Sequence, residues 1–346
     1  MNTYQNYDKN KNLKLTFISI VVFFLTFYAT FIHPLDRPDF ENYQFLFNTI
    51  PNNLIKERTD ISLNSVNGFG FYYYVFFVKI FTNSFRFFLG LTAFLSISIK
   101  IFLIKKLSRN IYFSTLIYSL LVFPIHELIQ IRIGLGTSLL FLAIYLLEKK
   151  SYLISSLLFI LSFSIHLVTL PLVIGALIIK SILLVIKNKK IPLNYNIFSF
   201  LSILSLFFIS LIRYLTLSKN LNYYFHFQEV SINIFSIRTL LLLIMAVLGL
   251  REFKNFPDTA KNWFYLSIVG LSSYYFFSQN MNVASRLMQS VYFTFIIWIN
   301  YMPYKAYIFL RYILLFVSLI FFYLIAFREF HEKFLTLQVD LALIFN

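Results

Sequence analysis

Residues 131–150 read IRIGLGTSLLFLAIYLLEKK, an apolar run opened by Arg132 and closed by Glu148, Lys149 and Lys150. No side chain from Ile133 to Leu147 is charged, which is the polarity of a helix crossing a bilayer. Similar runs recur on both sides, roughly over 15–32, 69–81, 87–104, 111–125, 151–167, 168–186, 196–213, 236–250, 262–277, 287–302 and 306–326, with short polar clusters between them. The chain of 346 residues is 59% hydrophobic and only 13% charged. A soluble domain carries about 25% charged residues to cover its surface, a requirement that lipid removes. The sequence therefore predicts an all-α polytopic integral membrane protein with about 11–12 transmembrane helices. No polar stretch is long enough for a second core, so residues 1–346 form a single multi-span domain. Leu15 to Ile32 lacks a small-residue cleavage site and reads as a first anchor rather than a signal peptide.

The formal net charge is +16, from 30 Lys+Arg against 14 Asp+Glu. Because the basic residues sit between apolar runs, they report membrane topology and not nucleic-acid binding. Cysteine is absent, which excludes disulfides, thiol chemistry and cysteine metal sites. By the positive-inside rule, Lys9/Lys11/Lys14, Lys105/Lys106/Arg109, Lys149/Lys150, Lys187/Lys189/Lys190, Arg251/Lys254/Lys261 and Lys305/Arg311 face the cytoplasm. The alternation holds from Lys105 onward, and before it only if 69–81 is re-entrant or interfacial. The opposite side then holds outer loops at about 33–68, 126–132, 214–235 and 278–286, with His166 beside them.

Arg132, Arg213, Arg238 and Arg286 fall at membrane boundaries on that outer side, against the usual bias. Such an arginine either snorkels from a helix end or holds an anion at the interface, and four on one face ask for a common cause. Gly134 and Ser138 form a small-xxx-small face that presses Arg132 against neighbouring helices. The guanidinium fork binds two diphosphate oxygens at once.

The first outer loop, HPLDRPDFENYQFLF, gathers His33, Asp36, Arg37, Asp39 and Glu41 directly after a span. Pro34 and Pro38 hold its backbone extended, and Asp39 then starts a helix through Tyr43 and Phe47. Asp39 is either a helix N-cap or a carboxylate at a cavity mouth, able to take a proton from a sugar hydroxyl. His166 ends one apolar run and begins the next, so it either links helices or serves a polar cavity. Tyr72/Tyr73/Tyr74, Tyr223/Tyr224 with Phe225, His226 and Phe227, and Tyr274/Tyr275 read as an interfacial aromatic belt. No metal-ligand spacing, glycine-rich phosphate loop or Ser/His/Asp signature is present, so no cofactor or metal is expected.

The order of these features resembles the EpsG family, a branch of the Wzy-type polymerases of bacterial exopolysaccharide and O-antigen. The matching residues are Asp39 with Tyr43, Arg132 with Gly134 and Lys149/Lys150, then His166, then Arg286 with Tyr292. Ile165 stands where that family has an aromatic, and Ser285 where an acid often precedes the later arginine. The resemblance implies a metal-independent glycosyltransferase of the bacterial cytoplasmic (inner) membrane. Such an enzyme moves a growing glycan from its polyprenyl diphosphate carrier onto a lipid-linked repeat unit at the outer face. Its partners would be the polyprenyl diphosphate-linked oligosaccharide, membrane lipid, a chain-length regulator and a flippase, with no nucleic acid.

On that reading Arg132, Arg238 and Arg286 hold the diphosphate, Tyr43 helps bind substrate, and Asp39 or His166 is the base. Glu41, Glu127 and Glu229 are the reserve carboxylates of that face. Two other classes compete. A flippase or transporter would place ionisable residues in mid-membrane and show internal repeats, whereas the unusual charges here lie at one interface. A membrane acyltransferase would carry an early Arg-Gly-x-Ala element and a histidine within the first span, and both are missing.

Overall fold

The computed structural model describes residues 2–31, 38–50, 69–166, 169, 172, 237–276, 281–303 and 306–324. The runs at 168–186 and 196–213, along with His33, Asp36, Arg37, Arg213, Glu229 and the Tyr223–Phe227 cluster, lie outside the described residues except for Thr169 and Leu172. The described elements are all helical. They are α1 (Asn2–Phe31), α2 (Pro38–Thr49), α3 (Phe69–Phe81), α4 (Phe85–Leu107), α5 (Ile111–Ile117), α6 (Ile131–Glu148) and α7 (Tyr152–Ile165). After the 167–236 interval follow α8 (Ile237–Glu252), α9 (Asp258–Phe276), α10 (Met281–Ser290), α11 (Tyr292–Trp298) and α12 (Ile308–Phe322).

Three of these are long and apolar enough to cross a membrane: Asn12–Phe31 with 20 residues, Phe85–Leu107 with 23 and Ile131–Glu148 with 18. At 1.5 Å per residue they span about 27–34 Å, matching a bilayer core of about 30 Å. Gly70–Phe81, Ile111–Val122, Tyr152–Ile165 and Ile308–Phe322 are shorter apolar helices. The chain is an all-α polytopic membrane protein. The 13 described residues of α3 extend about 20 Å.

α6 lies at the centre, against α4 on one side and α7 on the other. Small residues make this possible, because apolar burial alone does not hold helices together in lipid. A Cβ on Gly134 would collide with the His126 carbonyl, and one on Gly136 would lie 3.2 Å from the His166 Cβ. Ser138 Oγ sits 2.8 Å from Ser96 Oγ of α4, and Ser155 and Ser162 of α7 donate to the carbonyls of Ala143 and Gly136. α1 turns Ile20, Phe23, Phe24 and Phe27 outward, a surface suited to lipid.

The run expected at 111–125 continues from α5 through π-helical turns at Tyr118–Val122 and Pro124–Ile129. Pro124 explains the departure: it has no N–H, and its ring would strike the carbonyl four residues back in an α-helix, a clash the wider π turn relieves. The chain reverses at Gln130, so Pro124–Ile129 and the first turns of α6 form a tight helical hairpin with Arg132 near its apex. The run expected at 287–302 is likewise interrupted, at Val291 between α10 and α11.

α6 ends in a Schellman turn. Lys150 adopts φ 63°, its N–H donates to Leu147 O, and that of Ser151 donates to Leu146 O. Asn262 donates to Glu148 and Tyr307 to Glu252, tying the start of α9 to the end of α6 and the start of α12 to the end of α8.

Candidate functional site

α2 begins at Pro38, a first-turn position that tolerates a missing N–H, so Asp39 sits inside the helix rather than capping it. Phe40, Tyr43, Phe47 and Ile50 recur at helical spacing and are buried, while Glu41, Asn42, Gln44 and Phe45 are exposed. Tyr43 stacks edge-on against Phe71 of α3 (5.8 Å), and Phe40 and Phe47 meet Phe85 of α4 at 5.2 and 5.6 Å. Lys79 donates to the Ile50 carbonyl just past the end of α2 and lies 5.3 Å over the Phe47 ring. Tyr74 donates to Thr92 Oγ1 (2.9 Å), since the Thr92 hydroxyl proton is given to Phe88 O. These contacts lock α2 onto α3 and α4. Of the tyrosines expected in an aromatic belt, Tyr274 is buried, Tyr72 and Tyr74 are half-buried and Tyr73 is exposed.

Asp39 and Tyr43 are one turn apart and share a face of α2. Opposite them stands Arg132, the second residue of α6 and only 8% exposed. Its guanidinium carbon lies 5.9 Å from the Phe71 ring centre, and its backbone N–H is directed at the Tyr43 hydroxyl, which satisfies one orphan amide of the helix start. A cation at a helix N-terminus is unfavourable for the dipole, so the arrangement gains from any anion brought to it.

His166 caps the C-terminus of α7 in extended geometry (φ −149°, ψ 116°) and is 5% exposed. Its carbonyl accepts from the amide and the hydroxyl of Thr169. Gly136 supplies the space that brings this histidine against α6. The charges of Arg132 and Arg286 both reach its ring. Arg286 is half-buried on α10. The same two guanidiniums act on Asp39 and on Tyr43.

Burial holds the Asp39 carboxyl above the usual carboxylate range, and Arg286 and then Arg132 pull it part of the way back. Burial pushes the Tyr43 phenol up to about 12, aided by Asp39 and opposed chiefly by Arg132, so it stays a neutral hydrogen-bonding group.

Asp39, Tyr43, Arg132, His166 and Arg286, far apart in sequence, therefore come together where the first turns of α2 and α6, the end of α7 and the middle of α10 converge. Arg238 opens α8, and its side chain lies outside the described residues. Glu41 faces away from the group and is exposed. Glu127, expected among the outer carboxylates, is instead fully buried against Lys100 of α4 at 2.6 Å. The expectation that the unusual charges lie at one interface is corrected by this pair. Lys100 reads in sequence as a stray charge in an apolar run, and its partner lies 27 residues away on another element.

A model of the EpsG family matches residues 15–338, which takes in every residue of this group. The chain belongs to the EpsG family. No curated protein and no solved structure matches it. Membership of the EpsG family associates this membrane protein with exopolysaccharide production in bacteria.

Proposed function

We propose that this EpsG-family protein polymerises a polysaccharide such as an exopolysaccharide, capsule or O-antigen. It would transfer the growing glycan from a polyprenyl diphosphate carrier onto a lipid-linked repeat unit at the outer face of the bacterial cytoplasmic membrane. The observation that carries the reading is the convergence of Arg132 and Arg286 on Asp39 and His166. In the transfer, an acceptor hydroxyl oxygen bonds to the anomeric carbon as the bond from that carbon to the diphosphate breaks. The electron pair leaves with the diphosphate, where two preorganised guanidiniums stabilise the developing charge.

The hydroxyl proton goes to Asp39. Proton uptake there neutralises a carboxylate between two cations, whereas at His166 it would add a third positive charge. Burial also moves the Asp39 pKa upward, toward that of a useful base. His166 then orients the acceptor, and Tyr43 fixes Arg132 through the backbone of α6. The guanidiniums supply the charge stabilisation, and no metal ion is assigned to the reaction.

A second reading, translocation of lipid-linked oligosaccharide, draws on the Lys100–Glu127 pair within the span of α4. A genetic test separates the two. Loss of a polymerase leaves single repeat units on the cell surface, whereas loss of a flippase leaves none.

A further inference from the structure

Below the candidate site lies a second polar group, sealed inside the bundle. Lys100, His126 and Glu127 are each at most 1% exposed. The Lys100 ammonium has three protons to give and three acceptors to receive them: Glu127 Oε1 at 2.6 Å, His126 Nδ1 at 2.9 Å and Ser96 Oγ at 3.3 Å. His126 Nε2 lies 2.9 Å from the Gln289 carbonyl, which can only accept, so Nε2 carries the proton. Nδ1 then accepts from the ammonium and the ring is neutral. One cation, one anion and one neutral imidazole leave no net charge in the group.

The elements joined here are the ones that carry the two site arginines. His126 and Glu127 sit on the π turn that leads through Gln130 into Arg132, and the His126 carbonyl backs Gly134 in the first turns of α6. Gln289 lies on α10 one turn beyond Arg286, whose own carbonyl accepts from Ser290 Oγ. Ser96 also touches Ser138 of α6. The His126 imidazole therefore bridges the hairpin bearing Arg132 and the helix bearing Arg286, and Lys100 and Glu127 hold that imidazole in one tautomer and one orientation. Buried ion pairs are seldom the stablest filling for an interior, since apolar residues of equal volume often do as well. Their directional bonds define position instead.

We infer that Lys100, His126 and Glu127 form a buried positioning cluster that sets Arg132 and Arg286 at the spacing a diphosphate requires. The purpose given to that spacing rests on the polymerase reading above. The spacing itself does not.

The experiment uses the full chain in nanodiscs. The protein contains no cysteine, so Gln130→Cys and Ser285→Cys give two unique spin-label positions flanking the arginines. Farnesyl diphosphate serves as the binding probe, with farnesyl monophosphate as control. Lys100→Met combined with Glu127→Leu removes both charges without stranding either. His126→Asn keeps an acceptor for Lys100 and loses the reach to Gln289, whereas His126→Gln keeps a donor for that carbonyl.

The expected result is a narrow label-to-label distance in the parent protein that broadens in the double variant and in His126→Asn. Diphosphate affinity should fall at least tenfold in both, and His126→Gln should recover most of the loss. A narrow, unshifted distance in folded His126→Asn or in the folded double variant overturns the inference. If the distance broadens but the parent protein prefers the diphosphate no more than the monophosphate, the positioning role stands and the polymerase reading fails.

Discussion

Two clusters of ionisable residues lie within a few turns of each other and differ in how their charges are balanced. In the inner one, Lys100 and Glu127 cancel, His126 is neutral, and all three side chains are sealed from the surface. In the outer one, the charges of Arg132 and Arg286 both act on Asp39, the acid of that group among the described residues, and Asp39 and Arg286 are only half-buried. A closed, neutral group has no use for a ligand and serves the scaffold. A half-buried group that carries two guanidiniums, one of them at a helix N-terminus, is suited to an anion that reaches it. On the proposed function, the contrast separates the residues that hold geometry from those that would meet substrate.

The largest expected effect is on the outer side. Arg132→Lys keeps the charge and loses the planar fork, so polymerisation should fall by about a hundredfold or more while membrane abundance stays near the parent level. Near-normal polysaccharide ladders would reduce Arg132 to a helix-end anchor. Glu127→Gln should show the reverse pattern. It strands a buried ammonium, at a cost of about 3–5 kcal/mol, and the loss should appear first in folded abundance and thermal midpoint. If both variants behaved alike, the distinction between the clusters would collapse.

Next comes the base. Asp39→Asn should lower transfer by roughly a hundredfold, and His166→Gln should act mainly on acceptor binding. A base works only when deprotonated, so the rate should fall as pH drops through the Asp39 pKa. Burial raises that value, so the acid limb should lie above about 4, the ordinary aspartate value, and vanish in Asp39→Asn. A limb retained in that variant and lost in His166→Gln would transfer the role to the histidine.

Smaller effects test the joint between the clusters. Gly134→Ala drives a methyl group into the His126 carbonyl and should cost about 1–3 kcal/mol of stability. Gly136→Ala meets the side chains of His166 and Thr169 at 3.2 and 3.4 Å and the Ser162 carbonyl oxygen at 3.6 Å, and should cost less. Far from both clusters, Lys150 occupies a left-handed conformation that suits glycine (φ 63°). Lys150→Gly should stabilise the α6–α7 turn by about 1 kcal/mol, measured by thermal unfolding, with sidedness kept by Lys149.

The outer cluster was legible in the sequence because its signals are positional. Arginines stand where the sidedness rule disfavours them, and glycines beside Arg132 announce close packing. The inner cluster was not. Lys100 lies within an otherwise apolar run, and nothing in the local pattern pairs it with Glu127, because that contact exists only after α4, the π turn and α6 have packed. Pro124 was visible, but whether it breaks a helix or widens it depends on what the displaced backbone packs against, here the first turns of α6. Helix ends and side-chain depth follow tertiary contacts as well, which is why Asp39 moved from a cap position to the first turn of α2.

Polymerase activity is tested most directly by reconstituting the full chain in vesicles with a polyprenyl diphosphate-linked repeat unit supplied on the leaflet nearest Asp39, Arg132 and His166. A polymerase gives glycans of several repeat lengths on a single carrier, one free polyprenyl diphosphate released per bond formed, and no such products from Arg132→Lys. Repeat units that cross the bilayer without joining would contradict the polymerase reading.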